Sequence, residues 1–142
     1  MQVKDHRKRL MGDNDTNSTM KALVVEDNFI NQQVVKMHLQ KYGCAVDLAS
    51  DGIEAVTSFK QHRQPLVLMD CQMPKMDGYQ ATSEIRAFEA ENPGKKPTVV
   101  IALTAHAVDG EREKCLDCGM DYFLTKPVNK QTLFASLDKF FK

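Results

Sequence analysis

Five side chains with chemical potential stand at the ends of apolar runs. Glu26 and Asp27 follow Ala22-Leu-Val-Val, Asp70 follows Leu66-Val-Leu-Met, Thr104 follows residues 99–103, and Lys126 follows residues 122–124. An ionisable group closing an apolar run is costly unless its charge is compensated, which makes Asp70 the first functional candidate. Clustered carboxylates repel one another, and relief comes from protonation or from a divalent cation. Oxygen-only ligands suit Mg²⁺. Lys126 would balance the remaining charge and meet an incoming anion, while Thr104 adds a hydroxyl and the Ala105 backbone N–H a donor. A carboxylate nucleophile, a metal, a lysine and a hydroxyl are the parts needed to accept a phosphoryl group on Asp70.

The elements that must hold these groups follow from pattern. Residues 66–70 form a continuous apolar run bounded by Pro65 and by Pro74 and Gly78, as in a strand buried on both faces of a parallel sheet. Ala22-Leu-Val-Val reads as the first strand and residues 45–49 as the second. Residues 99–103 and 122–124 supply the fourth and fifth. Asn28 is placed to cap a helix whose Ile30, Val34, Met37, Val35 and Leu39 follow helical spacing, ended by Gly43. Asp51 with Glu54 suits the start of a helix through Val56 and Phe59. After Gly78 a third helix carries Ala81, Ile85 and Phe88, a weaker fourth spans about 108–118, and a fifth carries Leu133, Leu137 and Phe140/Phe141. Five alternations of strand and helix predict an α/β fold, a doubly wound five-stranded parallel sheet of the flavodoxin-like (βα)5 type. In strand order 2-1-3-4-5 the first and third strands meet at the switch point, so Asp27 and Asp70 converge there.

With 142 residues the chain suits one domain, and residues 1–19, polar and aperiodic, read as a leader or linker before a domain at 20–142. Nineteen acidic residues balance nineteen basic ones, so no global charge draws the chain to nucleic acid or to anionic membrane. No apolar run approaches the roughly 20 residues of a membrane helix, and no signal peptide stands at the start; a cytoplasmic location is expected. The cysteines are Cys44, Cys71, Cys115 and Cys118. Cys115 and Cys118 have redox or zinc spacing, but no second pair completes a site, so they read as reduced thiols near a helix end.

Taken in order, Glu26-Asp27, Asp70-x-x-Met73-Pro74-x-Met76-Asp77-Gly78, Thr104-Ala105 and Lys126-Pro127 resemble a response-regulator receiver domain, over about residues 20–142. Val25-Glu-Asp-Asn28 with Asn31, Gln72-Met-Pro, Ala102-Leu-Thr-Ala-His106 and Gly119-Met-Asp121 resemble most the receivers of hybrid histidine kinases. The resemblance implies that Asp70 takes a phosphoryl group from a phosphohistidine of a histidine kinase or histidine phosphotransfer protein. It implies Mg²⁺ held by Asp27, Asp70 and the Gln72 carbonyl, with Glu26 acting through a water. Lys126 would pair with the phosphoryl oxygens beside a cis peptide to Pro127. Thr104 and Phe123 would move on phosphorylation and remodel the face of the fourth helix, fifth strand and fifth helix. Gln72 and His106 would tune slow autodephosphorylation. The acid pair departs from the family pattern in being Glu-Asp rather than Asp-Asp.

Other readings compete. Asp77 suits a turn, Asp51 a helix cap, Asp47 and Asp121 solvated positions, and Phe123 plain packing. A phosphate-independent receiver-fold interaction module is the alternative function, and the intact Asp27, Asp70, Thr104 and Lys126 set argues against it. A flavin-binding protein would want a phosphate-cradling loop where Glu26-Asp27-Asn28 stands. A haloacid-dehalogenase-like phosphatase would want an acid where Gln72 stands. The chain stops after the fifth helix, so output is expected by protein contact, without nucleic acid or membrane; a homodimer through the switch face is left open.

Overall fold

The computed structural model describes residues 20–105 and 110–142. Its strands are β1 (Lys21–Val25), β2 (Ala45–Ala49), β3 (Leu66–Asp70), β4 (Val99–Thr104) and β5 (Tyr122–Thr125). The helices are α1 (Phe29–Tyr42), α2 (Gly52–His62), α3 (Gly78–Glu91), α4 (Glu111–Asp117) and α5 (Lys130–Phe141). All strands pair in parallel in the order β2-β1-β3-β4-β5, the expected flavodoxin-like arrangement. The leader at 1–19, the expected start of α4 at 108 and His106 lie outside the described residues.

Strand alternation divides the core into two layers. Ala22, Val24, Leu66, Leu68, Ile101, Leu103 and Leu124 face Val35, Leu39 and Tyr42 of α1 and Leu133 and Leu137 of α5. Leu23, Val25, Val67, Met69, Val100 and Ala102 face α2, α3 and α4. A strand buried on both faces has no polar side to spend, hence the unbroken apolar runs.

Helix starts follow the sequence closely. Asn28, Asp51, Asp77 and Asn129 each accept a backbone N–H three residues on, at 2.8–2.9 Å. Asp77 is therefore the cap of α3, more than a turn residue. Gly78 has a positional cause as well: a Cβ there would run into the Asp70 carbonyl oxygen, so only glycine lets α3 start this close to the end of β3.

One expectation changes and another gains detail. In α1 the buried face is Gln32, Val35, Leu39 and Tyr42, while Ile30 is 70% exposed, Met37 47% and Val34 37%. Gln32 takes a core position because its amide donates to the carbonyls of Glu26 (3.1 Å) and Ala49 (3.3 Å), closing the ends of β1 and β2. Asp47 and Asp121 stay partly exposed, as expected, but each is also engaged in hydrogen bonds. Asp47 accepts from Gln64 at 2.9 Å. Asp121 accepts from the Val100 N–H (2.8 Å) and the Arg86 guanidinium (2.9 Å).

Candidate functional site

The carboxyl ends of β1, β3, β4 and β5 share one edge of the sheet, and the five groups read from the sequence gather there. Asp70 ends β3 at 2% exposure, its Oδ1 accepting the Gln72 N–H at 3.1 Å. Glu26, just past β1, is 1% exposed and accepts the Asn28 N–H at 3.2 Å. Asp27 is exposed, yet an oxygen from each of Glu26, Asp27 and Asp70 lies within 4.8 Å of the others. Lys126 reaches in from β5, with Nζ 3.1 Å from Asp70 Oδ2 and 3.2 Å from Glu26 Oε1. Its peptide to Pro127 is cis, as the resemblance implied. Thr104 is buried at the end of β4, where its carbonyl accepts the Lys126 N–H at 2.7 Å, and Ala105 is exposed beside it.

The charges do not balance: three carboxylates face one ammonium. Desolvation, then repulsion from Asp70, pushes the Glu26 carboxyl above its ordinary value, and Lys126 offsets this only in part. Desolvation pulls the Lys126 ammonium down, but Asp70 and Glu26 outweigh it and hold its proton more firmly than usual. Glu26 Oε1 and Asp70 Oδ2 are buried at ion-pair distance from Lys126 without the geometry of a hydrogen bond. Two under-satisfied oxygens beside an exposed third carboxylate are what a hard cation with all-oxygen ligands requires. Glu26 is also in direct ion-pair contact with Lys126.

Gln72 is exposed on the loop leaving β3. Phe123 is half-buried against the α3–α4 side of the core, with the Arg112 guanidinium 5.8 Å from its ring. Sequence reasoning missed two features. A groove lined by Asn31, Val34, Pro127, Val128 and others opens between α1 and the β5–α5 connection and reaches Glu26 and Lys126. Arg86, on α3, binds Glu89, the Thr98 and Gly119 carbonyls and Asp121, all at 2.8–2.9 Å. The first could have been suspected from Phe29-Ile30 directly after a cap; nothing marks Arg86 among nineteen basic residues.

Fold and site together define a doubly wound sheet protein with an acidic, lysine-capped cleft at its switch point. Residues 22–138 match the response regulator receiver domain, and the chain belongs to that family. It is 41% identical over 126 residues to the hybrid signal transduction histidine kinase B of Dictyostelium discoideum, covering 84% of this chain and 6% of that protein. It is 45% identical over 114 residues to the sensor protein GacS of Pseudomonas syringae, covering 80% and 12%. The chain thus spans a small fraction of the length of the curated relatives it matches. Among solved structures it resembles the receiver domain of the Saccharomyces cerevisiae response regulator Ssk1, crystallised with the histidine phosphotransfer protein Ypd1 (TM-score 0.81, 34% identity, 86% of this chain and 88% of that one). It also resembles the receiver of the Pseudomonas aeruginosa sensor histidine kinase PA1611, in which a magnesium ion is coordinated in the active-site cleft (TM-score 0.74, 41% identity, 86% and 97%).

Proposed function

We propose that the chain is the phosphoacceptor of a phosphorelay and that Asp70 is its nucleophile. An Asp70 carboxylate oxygen attacks the phosphorus of a phosphohistidine, the P–N bond breaks, the imidazole leaves, and an aspartyl phosphate forms. The observation carrying this reading is the setting of Asp70: a buried carboxylate, ending an apolar strand, 3.1 Å from one lysine and flanked by two further acids. Glu26, Asp27 and Asp70, with the Gln72 carbonyl, would hold Mg²⁺, which when bound supplies charge neutralisation and orientation of the phosphoryl oxygens. Lys126 and Thr104, with the Ala105 N–H, receive those oxygens. Phe123 is proposed to turn with Thr104, remodelling the face made by α4, β5 and α5. Gln72 and His106 would set the lifetime of the phosphoryl group, whose slow loss the domain itself catalyses.

The partner is a histidine kinase or a histidine phosphotransfer protein. Its seat is the outward apolar edge of α1, where Phe29 and Ile30 are each 70% exposed and Val34 leads into the groove that reaches Lys126. No helix among the described residues is long and apolar enough to cross a membrane, in keeping with a cytoplasmic role.

The test is intact mass after incubation with acetyl phosphate, with Mg²⁺ or with chelator. A metal-dependent gain of one phosphoryl group that disappears in Asp70→Asn supports the reading. Equal uptake by Asp70→Asn would remove the nucleophile assignment. No uptake under any condition favours the phosphate-independent module.

A further inference from the structure

The thiols do not associate along the helix as their spacing suggests. Cys118 turns away, its Sγ donating to the Cys115 carbonyl at 3.2 Å. The thiol that meets Cys115 is Cys71, the residue after Asp70, brought up from the end of β3 beneath α4. Glu111, one turn before Cys115, completes a triangle. Cys71 Sγ, Cys115 Sγ and a Glu111 carboxylate oxygen all lie within 4.8 Å of one another. Cys71 and Cys115 are each 1% exposed, whereas Glu111 is half-buried and opens the cluster to solvent. The Tyr79 hydroxyl, from α3, donates to Glu111 Oε2.

We propose that Cys71, Cys115 and Glu111 form a site for a thiophilic divalent cation, Zn²⁺, separate from the acidic cleft. Two sulfurs beside one carboxylate make a donor set that suits zinc, whereas Mg²⁺ takes oxygen ligands and avoids the thiolates. A point equidistant from three atoms this close lies roughly 2–3 Å from each, the range of Zn–S at about 2.3 Å and Zn–O at about 2.0–2.2 Å. The i, i+4 spacing of Glu111 and Cys115 puts both ligands on one helix face, as in other zinc-binding helices. Tyr79 orients the carboxylate, the part an outer hydrogen bond plays at metal sites. Binding releases one proton from each thiol to solvent, and two thiolates with Glu111 then carry the cation. The ion would tie α4 to the residue after Asp70. The site itself stands independently of whether Asp70 is phosphorylated.

The whole chain, held reduced by a phosphine under nitrogen with Mg²⁺ saturating, is titrated with Co²⁺ and then Zn²⁺. The expected result is one equivalent of Co²⁺ with thiolate-to-cobalt absorption in the near ultraviolet, displaced by Zn²⁺. Cys71→Ser and Cys115→Ser should abolish the band, and Glu111→Gln should weaken Co²⁺ binding at least tenfold. Tyr79→Phe should weaken it about tenfold. Cys118→Ser and Asp70→Asn should leave it in place. Absence of the band, its survival in both serine variants, or its loss in Asp70→Asn overturns the proposal. Should the buried serine variants fail to fold by circular dichroism, the half-exposed Glu111→Gln decides, an unchanged Co²⁺ affinity overturning it. None of these outcomes depends on the phosphoryl-uptake assay, so the two readings fail separately.

Discussion

At the scale of single residues, Glu26 shows how the site sets function against stability. Its carboxyl is raised in the folded chain by burial and then by Asp70, so folding favours the protonated form. A raised acid contributes its stability below its ordinary value and loses it as pH climbs through the folded value. The metal-free protein should therefore lose urea resistance as pH rises from about 4.5 through the raised value. Glu26→Gln should flatten that loss and raise metal-free stability at neutral pH by about 1 kcal/mol, while weakening Mg²⁺ binding, read by urea titration with and without the ion. The identities of Glu26, Asp70 and Lys126 were legible because a charge ending an apolar run is conspicuous. The direct Glu26–Lys126 contact was not, since it depends on how far the β5–α5 connection leans over β1.

At the scale of elements, α1 carries the clearest departure from pattern. A 3.6-residue period fits Ile30, Val34 and Met37 as well as it fits Val35, Leu39 and Tyr42, and hydrophobicity cannot rank two apolar stripes. What decided was Gln32, whose amide satisfies two strand-end carbonyls, a role visible only once β1 and β2 are adjacent. If the outward stripe seats the donor protein, Ile30→Glu should leave uptake from acetyl phosphate unchanged and slow uptake from a phosphorylated histidine phosphotransfer protein at least tenfold. An equal loss with both donors would point to a damaged site instead. Arg86 governs the opposite face: three hydrogen bonds join α3 to the residue before β4 and to the α4–β5 turn, and a fourth goes to Glu89 on α3 itself. Arg86→Met should cost about 2–3 kcal/mol by urea denaturation, because the carbonyls of Gly119 and Thr98 and the Asp121 and Glu89 carboxylates lose a shared donor. Its role stayed hidden in the sequence because each partner is distant along the chain.

At the scale of the whole molecule, sheet order and the gathering of Asp27, Asp70, Thr104 and Lys126 were legible together. The βα alternation leaves few right-handed ways to wind the chain, and each puts strand ends on one edge. Invisible at that scale were contacts between segments distant along the chain, of which the Cys71–Glu111–Cys115 cluster is the plainest, since no spacing rule links the end of β3 to α4. The strand order also bears on how the protein comes to be folded. β1 sits between β2 and β3, with Ala22 opposite both Val46 and Leu66. We expect the first three strands, adjacent in both sequence and sheet, to pair earlier in folding than β4 and β5. Leu68→Ala, in that early unit, should slow refolding, whereas Leu124→Ala in β5 should chiefly hasten unfolding, read from the two arms of a chevron plot. A chain emerging amino end first would then have its acidic half assembled while Lys126 is still to arrive, and would spend its first moments with those carboxylates uncompensated.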